Sequence, residues 1–158
     1  MTRTLGAVLG LALVLGLVGC DQGTKHLART TLRGRGAVPL VAGVLDLRYV
    51  ENPDSAFGLS RVLPEGVRRP VLLLVPALAI PLIVLVWRRR RDARLATAAC
   101  ALLLAGTIGN LVDRAARGGV VDFIHLHHWP VFNVADIALA AGVGLLVLAL
   151  HPRRRLAS

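Results

Sequence analysis

Four long apolar stretches constrain this chain more than any other feature: about Leu5–Cys20, Val71–Trp87, Leu95–Val112 and Val134–Leu150. Inside lipid every backbone N–H and C=O must find a partner within the protein, so isolated apolar segments of this length fold as helices. At ~1.5 Å rise per residue each reaches ~24–27 Å, slightly short of a ~30 Å hydrocarbon core. Local thinning of the bilayer and snorkelling of flanking arginines make up the difference. A hydrophobic content of 55% and a mean hydropathy of +0.65 place the chain in the same class. The expected fold is an all-α integral membrane protein, one domain over all 158 residues with four transmembrane helices. Pro76 and Pro81 interrupt the second segment, where a membrane helix tolerates them and a kink is expected.

The net charge of +10 first suggests a nucleic-acid partner, but its placement excludes one. Arg88–Arg91 with Arg94, and Arg153–Arg155, directly flank apolar runs, as at the cytoplasmic ends of membrane helices. The short basic loop Arg88–Arg94 is therefore expected inside, and with four spans both termini join it there. Two stretches remain outside, Asp21–Pro70 and Asp113–Asn133. The first carries eight Lys and Arg of its own, but long loops obey the charge rule less strictly.

Within the first outer stretch, Thr24–Arg33 mixes Leu27 and Leu32 with Lys25, His26, Arg29 and Arg33, as in a helix end lying at the interface. Gly34 and Gly36 end it. Ala37–Val50 has strand composition with partial alternation, so a small β-rich cap is expected over about residues 34–62. Of the two cysteines, Cys100 reads as a small buried side chain. Cys20 ends Leu17-Val-Gly-Cys20, which resembles the lipidation and cleavage box of a lipoprotein signal. The three further spans, and a second motif that opens at Asp21 and continues the helix, argue against that reading.

A carboxylate at the edge of a bilayer is expensive, and the chain places two of them there, Asp122 and Asp136. Two carboxylates brought together can share one proton and activate a water. They sit within four short motifs: Asp21-Gln-Gly-Thr-Lys25; Glu51-Asn-Pro-Asp-Ser-Ala-Phe-Gly58; Gly109-Asn-Leu-Val-Asp-Arg114 running on to Val121-Asp-Phe-Ile124; and Phe132-Asn-Val-Ala-Asp136. In this order, at the ends of four apolar segments, they closely resemble lipoprotein signal peptidase (signal peptidase II), over almost the whole chain.

That resemblance implies a four-span aspartic endopeptidase of the bacterial inner membrane, with its site near the outer face. It would cut prolipoproteins just before a cysteine that bears a diacylglyceryl group, in contact with membrane lipids and with no cofactor. The resemblance puts the catalytic pair on Asp122 and Asp136, and the substrate groove on Asn52, Asn110, Arg114 and Asn133. Asp21 and Lys25 match the first motif as architecture. Phe57 can cover the groove or fill the cap core. The family usually has glycine where this chain has Asp54, after Pro53, which puts the turn at Asn52 in question. Nothing in the sequence demands more than a monomer.

The residues also have plainer readings. An isolated Asp at a helix end is usually a cap or an ion-pair partner. Asn133, three before Asp136, shares its helical face and can be an N-cap. Arg114 can bind a substrate carbonyl or lipid phosphate, or pair with Asp113. Asp21 and Lys25 form an i,i+4 pair worth only tenths of a kcal/mol if exposed. His125, His127 and His128 with Asp122 could bind zinc, but a His-Glu-x-x-His or Cys/His ligand spacing is missing, so no metal is expected at the site. A loop touching headgroups with Trp129 at the interface is the expectation. Ser55 and Ser60 have no base at helical spacing, and Cys20 and Cys100 lie on apolar segments that disfavour thiolate. The rival functions are a small four-span binding or transport protein, an inactive relative, and a lipoprotein.

Overall fold

The computed structural model describes residues 3–54, 60, 62–90 and 93–150. Helix α1 (Arg3–Leu32) is followed by strands β1 (Val38–Val41) and β2 (Leu45–Asn52), then helices α2 (Glu65–Arg90) and α3 (Arg94–Arg117). Strand β3 (Val120–Leu126) and helix α4 (Val134–Leu150) complete the chain. Phe57 and Arg153–Arg155 lie outside the described residues.

Three helices, α1, α2 and α3, are long and apolar enough to cross a membrane; α4 is apolar but only 17 residues long. Helices α1, α2 and α3 each exceed their apolar runs. Helix α1 continues without a break through Cys20 and the Asp21–Lys25 motif to Leu32. Its 30 residues make ~45 Å, so its last third stands clear of any ~30 Å core that holds the first two. Helix α2 runs through Pro70, Pro76 and Pro81.

Helix α3 is the hub. It packs against α1, α2 and α4, and its buried face includes Ala99, Cys100, Ala101, Ala105, Gly106 and Gly109. Small residues let helix backbones approach closely, which is how helices associate when lipid supplies no hydrophobic drive. A Cβ added at Gly106 would stand 2.5 Å from the Ala135 carbonyl oxygen, and one at Gly142 would stand 2.8 Å from Leu103 Cγ. The α3–α4 contact therefore needs both glycines bare. By contrast α2 buries none of its residues, and Leu74, Leu78 and Leu82 are each more than half exposed. An outward face of this kind fits lipid and would be a liability in water.

The cap is a three-stranded antiparallel sheet in the order β1-β2-β3. Its third strand comes from the loop between α3 and α4, which the sequence leaves unassigned. Gly118 ends α3 in the left-handed region (φ 80°) and gives its N–H to the Arg114 carbonyl, and β3 starts two residues later. The pairing sets Val50 opposite Asp122 and Asn52 opposite Val120. On its inner face Phe123 packs with Ala28 and Leu32 of α1, which pins the sheet to the protruding end of that helix.

Gly106→Val should separate α3 from α4 and lower stability by about 1–3 kcal/mol, the usual range for overpacking a tight contact. Thermal unfolding in detergent checks this, with Gly144→Val as control, since a Cβ at Gly144 meets nothing within 4 Å.

Candidate active site

Lys25 is fully buried, with its ammonium 2.8 Å from Asp21 Oδ2 and 3.0 Å from Asp113 Oδ2. It also donates to Asn110 Oδ1 at 2.9 Å. Asp21 and Lys25, expected as architecture, are both buried between α1 and α3, where loss of one partner leaves an uncompensated charge. Asp113 is the member the sequence reading underrated. It does not pair with Arg114: one oxygen takes Lys25 and the Val121 N–H (3.2 Å), and the other takes Arg117. Asp113 thereby fixes the start of β3 to the end of α3. Asn110, Asp113, Arg114 and Arg117 recur at helical spacing, which is the signal that could have marked Asp113 as inward-facing.

From this cluster two hydrogen-bonded paths lead to the carboxylates. Asp21 Oδ1 accepts the Ala135 N–H at 2.9 Å, so α1 caps the first turn of α4. Asn133 is the N-cap of that helix. Its Oδ1 accepts the Asp136 N–H at 3.0 Å, while Asp136 Oδ2 accepts the Asn133 N–H at 3.2 Å, a reciprocal capping box. The amide of Asn133 donates to Asp122 Oδ1 at 2.6 Å and to Asn110 Oδ1 at 3.2 Å. Asn110 in turn donates to Asp136 Oδ1 at 2.9 Å. Asn52, across the sheet, donates to Asp122 Oδ2 at 3.0 Å. Both readings of Asn133 thus hold at once, helix cap and carboxylate orienter.

Asp122 and Asp136, 14 positions apart in sequence and on different elements, face one cavity of about 550 Å³. Asn52, Asn110 and Arg114 line it too, together with apolar side chains that include Trp129, Phe132, Ile137 and Leu139. Arg114 reaches the Asp54 carbonyl at 3.5 Å and also lines a second, smaller cavity with Arg68 and Arg69. Of the candidate residues, Asn52, Asn110, Arg114, Asp122 and Asp136 line this cavity, and Asn133, Asp21 and Lys25 join it through hydrogen bonds and ion pairs; Phe57 lies outside the described residues.

Pro53 and Asp54 do not break the turn. Asn52 Oδ1 accepts the Asp54 N–H at 3.0 Å, an Asx-type turn that needs no glycine. Among the described residues, His128 alone has positive φ without being glycine. Asp54 is buried and bound by Ser60 (3.2 Å) and Arg68 (3.3 Å), so its side chain ties the turn to α2.

Burial pushes the Asp122 carboxyl up from its ordinary value of 3.8 to about 6. The Asn52 hydrogen bond opposes the rise, the nearby Asp136 charge adds to it, and Asn133 and Lys25 oppose it. The folded protein therefore holds this proton more tightly than the unfolded chain between pH 3.8 and about 6. The stability so gained is complete below 3.8 and lost as pH rises through about 6.

The chain is similar to known proteins over most of its length. Residues 13–151 match the family model described as signal peptidase (SPase) II. The lipoprotein signal peptidase of Geobacter sulfurreducens is 39% identical over 142 residues, covering 87% of this chain and 88% of the relative. That of Syntrophotalea carbinolica is 41% identical over 138 residues, covering 84% of each. Two solved bacterial membrane enzymes superpose with TM-scores of 0.80 and 0.83 at 26% and 25% identity, covering 90% and 92% of this chain, and 87% and 94% of theirs.

Two outcomes test the site's electrostatics. Lys25→Met should destabilise the protein by about 3–5 kcal/mol, as expected when one partner of a buried ion cluster is removed. Arg33→Ala, which removes an exposed pair with Glu51, should change stability by less than about 1 kcal/mol. Asp122→Asn stays neutral, so wild type should lose stability relative to it as pH rises from 3.8 to about 6, read by calorimetry in detergent.

The motifs, the fold and the extent of the match make this chain a member of the signal peptidase II family.

Proposed function

We propose that this protein is the endopeptidase that removes signal peptides from diacylglyceryl-modified bacterial prolipoproteins, cutting on the N-terminal side of the lipidated cysteine. The observation that carries the reading is the pair of carboxylates, Asp122 and Asp136, bound to one asparagine, Asn133, and lining one cavity with both polar and apolar side chains. The apolar lining suits acyl chains and the apolar part of a signal peptide, and the polar groups suit the backbone to be cut.

In this mechanism Asp136 takes a proton from water as the water oxygen attacks the scissile carbonyl carbon. Asp122, whose carboxyl titrates near 6, donates its proton to the carbonyl oxygen, giving a neutral tetrahedral diol. Collapse breaks the C–N bond: the amine leaves with a proton from Asp136, and a diol hydroxyl returns one to Asp122. Both carboxyls then regain their starting protonation. Asn52, Asn110 and Asn133 hold the two carboxyls in register, Arg114 binds substrate backbone or headgroup, and Asp21 and Lys25 position the elements.

The setting follows. The protein crosses the bacterial inner membrane four times, with α4 as the short fourth span. The termini lie in the cytoplasm, and the sheet and catalytic pair lie at the outer face. It works as a monomer, in contact with membrane lipids and without a cofactor. The strongly basic α2–α3 junction, Arg88–Arg90 with Arg94, supports that orientation.

Purified protein in detergent should cleave a diacylglyceryl-modified prolipoprotein. Asp122→Asn and Asp136→Asn should each lower kcat by at least about 10³, since each removes a proton-transfer partner and the pair acts as a unit. Mass spectrometry of the product places the cut. Wild type that binds the substrate without cutting it would sink the reading.

A further inference from the structure

A second constellation sits at the other end of the cap sheet. Asp46 on β2 and His125 on β3 are directly opposed in the register. His127, in the turn after β3, is fixed by its N–H to the Val44 carbonyl at 3.0 Å. Its Nε2 lies 2.9 Å from Asp46 Oδ2, and His125 Nδ1 lies 3.5 Å from the same oxygen. All three donor atoms lie within 4.8 Å of one another. A hydrogen bond between His127 and Asp46 accounts for only part of this. His125 Nδ1 is buried and makes no hydrogen bond. A buried ring nitrogen whose polar neighbour, Asp46 Oδ2, stands at 3.5 Å is poorly satisfied by that contact alone.

From this geometry we propose that Asp46, His125 and His127 form an open three-ligand site for a divalent transition ion of the zinc class. Two imidazoles and one carboxylate match that class, whereas calcium and magnesium call for six or more oxygens. Bonds of ~2.0–2.2 Å in a tetrahedron bring donors to about 3.3–3.5 Å apart, within reach of small side-chain movements. The histidines thus gather on Asp46, not on Asp122 as the sequence first suggests.

The site is separate from the catalytic pair. His125 is three residues beyond Asp122 on β3, ~10 Å along the strand, and odd spacing puts the two side chains on opposite faces. Its influence on cleavage would be indirect, because the bound ion braces the turn that leads into Trp129 and Pro130 of the cavity wall.

The test uses the full chain without an affinity tag, in detergent, stripped with chelator and titrated with Co²⁺. Visible absorption reports tetrahedral coordination, and Zn²⁺ competition reports affinity. One equivalent should bind and be displaced by Zn²⁺. Asp46→Asn and His127→Gln should each weaken binding at least about tenfold, with His128→Gln unchanged. Prolipoprotein cleavage without added metal should persist in all three, as the check that they fold. If Asp46→Asn does not fold, His127→Gln, on a side chain 38% exposed, decides the matter. No stoichiometric binding, or wild-type affinity in the ligand variants, overturns the site. The titration reads independently of cleavage, so it stands even if the proposed peptidase activity fails.

Discussion

The buried ammonium of Lys25 is the interaction on which the rest of the structure depends. Two carboxylates and an amide oxygen surround it, and a lone charge at that depth would be prohibitive. Its partners are the points where elements must meet. Asp21 reaches from α1 to the first turn of α4, and Asp113 reaches from α3 to the start of β3. Asn110 extends the cluster to Asp136. One cation thus sets the relative positions of three helices and a strand, in a medium where apolar burial between helices contributes little.

The chemistry of the site follows from how far each carboxyl stands from that cation. Asp21 and Asp113 contact it and serve as fixed anions. Asp122 and Asp136 lie one amide further out, held by hydrogen bonds from asparagines instead of by ion pairs. A neutral donor favours the charged carboxylate less than an ammonium does, so burial wins at Asp122 and its proton stays within reach of neutral pH. The three asparagines therefore orient the pair without quenching it. The same economy appears at Asn52, whose carbonyl oxygen makes the turn at Asp54 while its NH₂ holds Asp122.

Much of this was legible in the residues. Hydropathy located the helices, because a run of apolar side chains in lipid has one low-energy backbone form. The polar candidates stood out because each interrupts or abuts an apolar run. The readings that fell short share a physical cause. Val120–Leu126 becomes a strand only because β2 offers it an edge, and that edge lies some seventy positions earlier. Asp113 looks like a partner for its neighbour Arg114, but adjacent helical residues face apart, and the cations that reach it are Arg117, one turn on, and Lys25, far away in sequence. His127 finds Asp46 81 positions away.

The sequence by itself determined that the chain belongs in a membrane, where its apolar helices run, and which polar residues stand out against them. Those properties rest on local composition and on the cost of placing charge near lipid. Only the tertiary structure decided which carboxylates pair with a cation and which share asparagines, that the sheet takes its third strand from between α3 and α4, and that two histidines converge on Asp46. Each of these is a contact between groups far apart in sequence. Their energies depend on burial and on distances of a few ångströms, which no local pattern encodes.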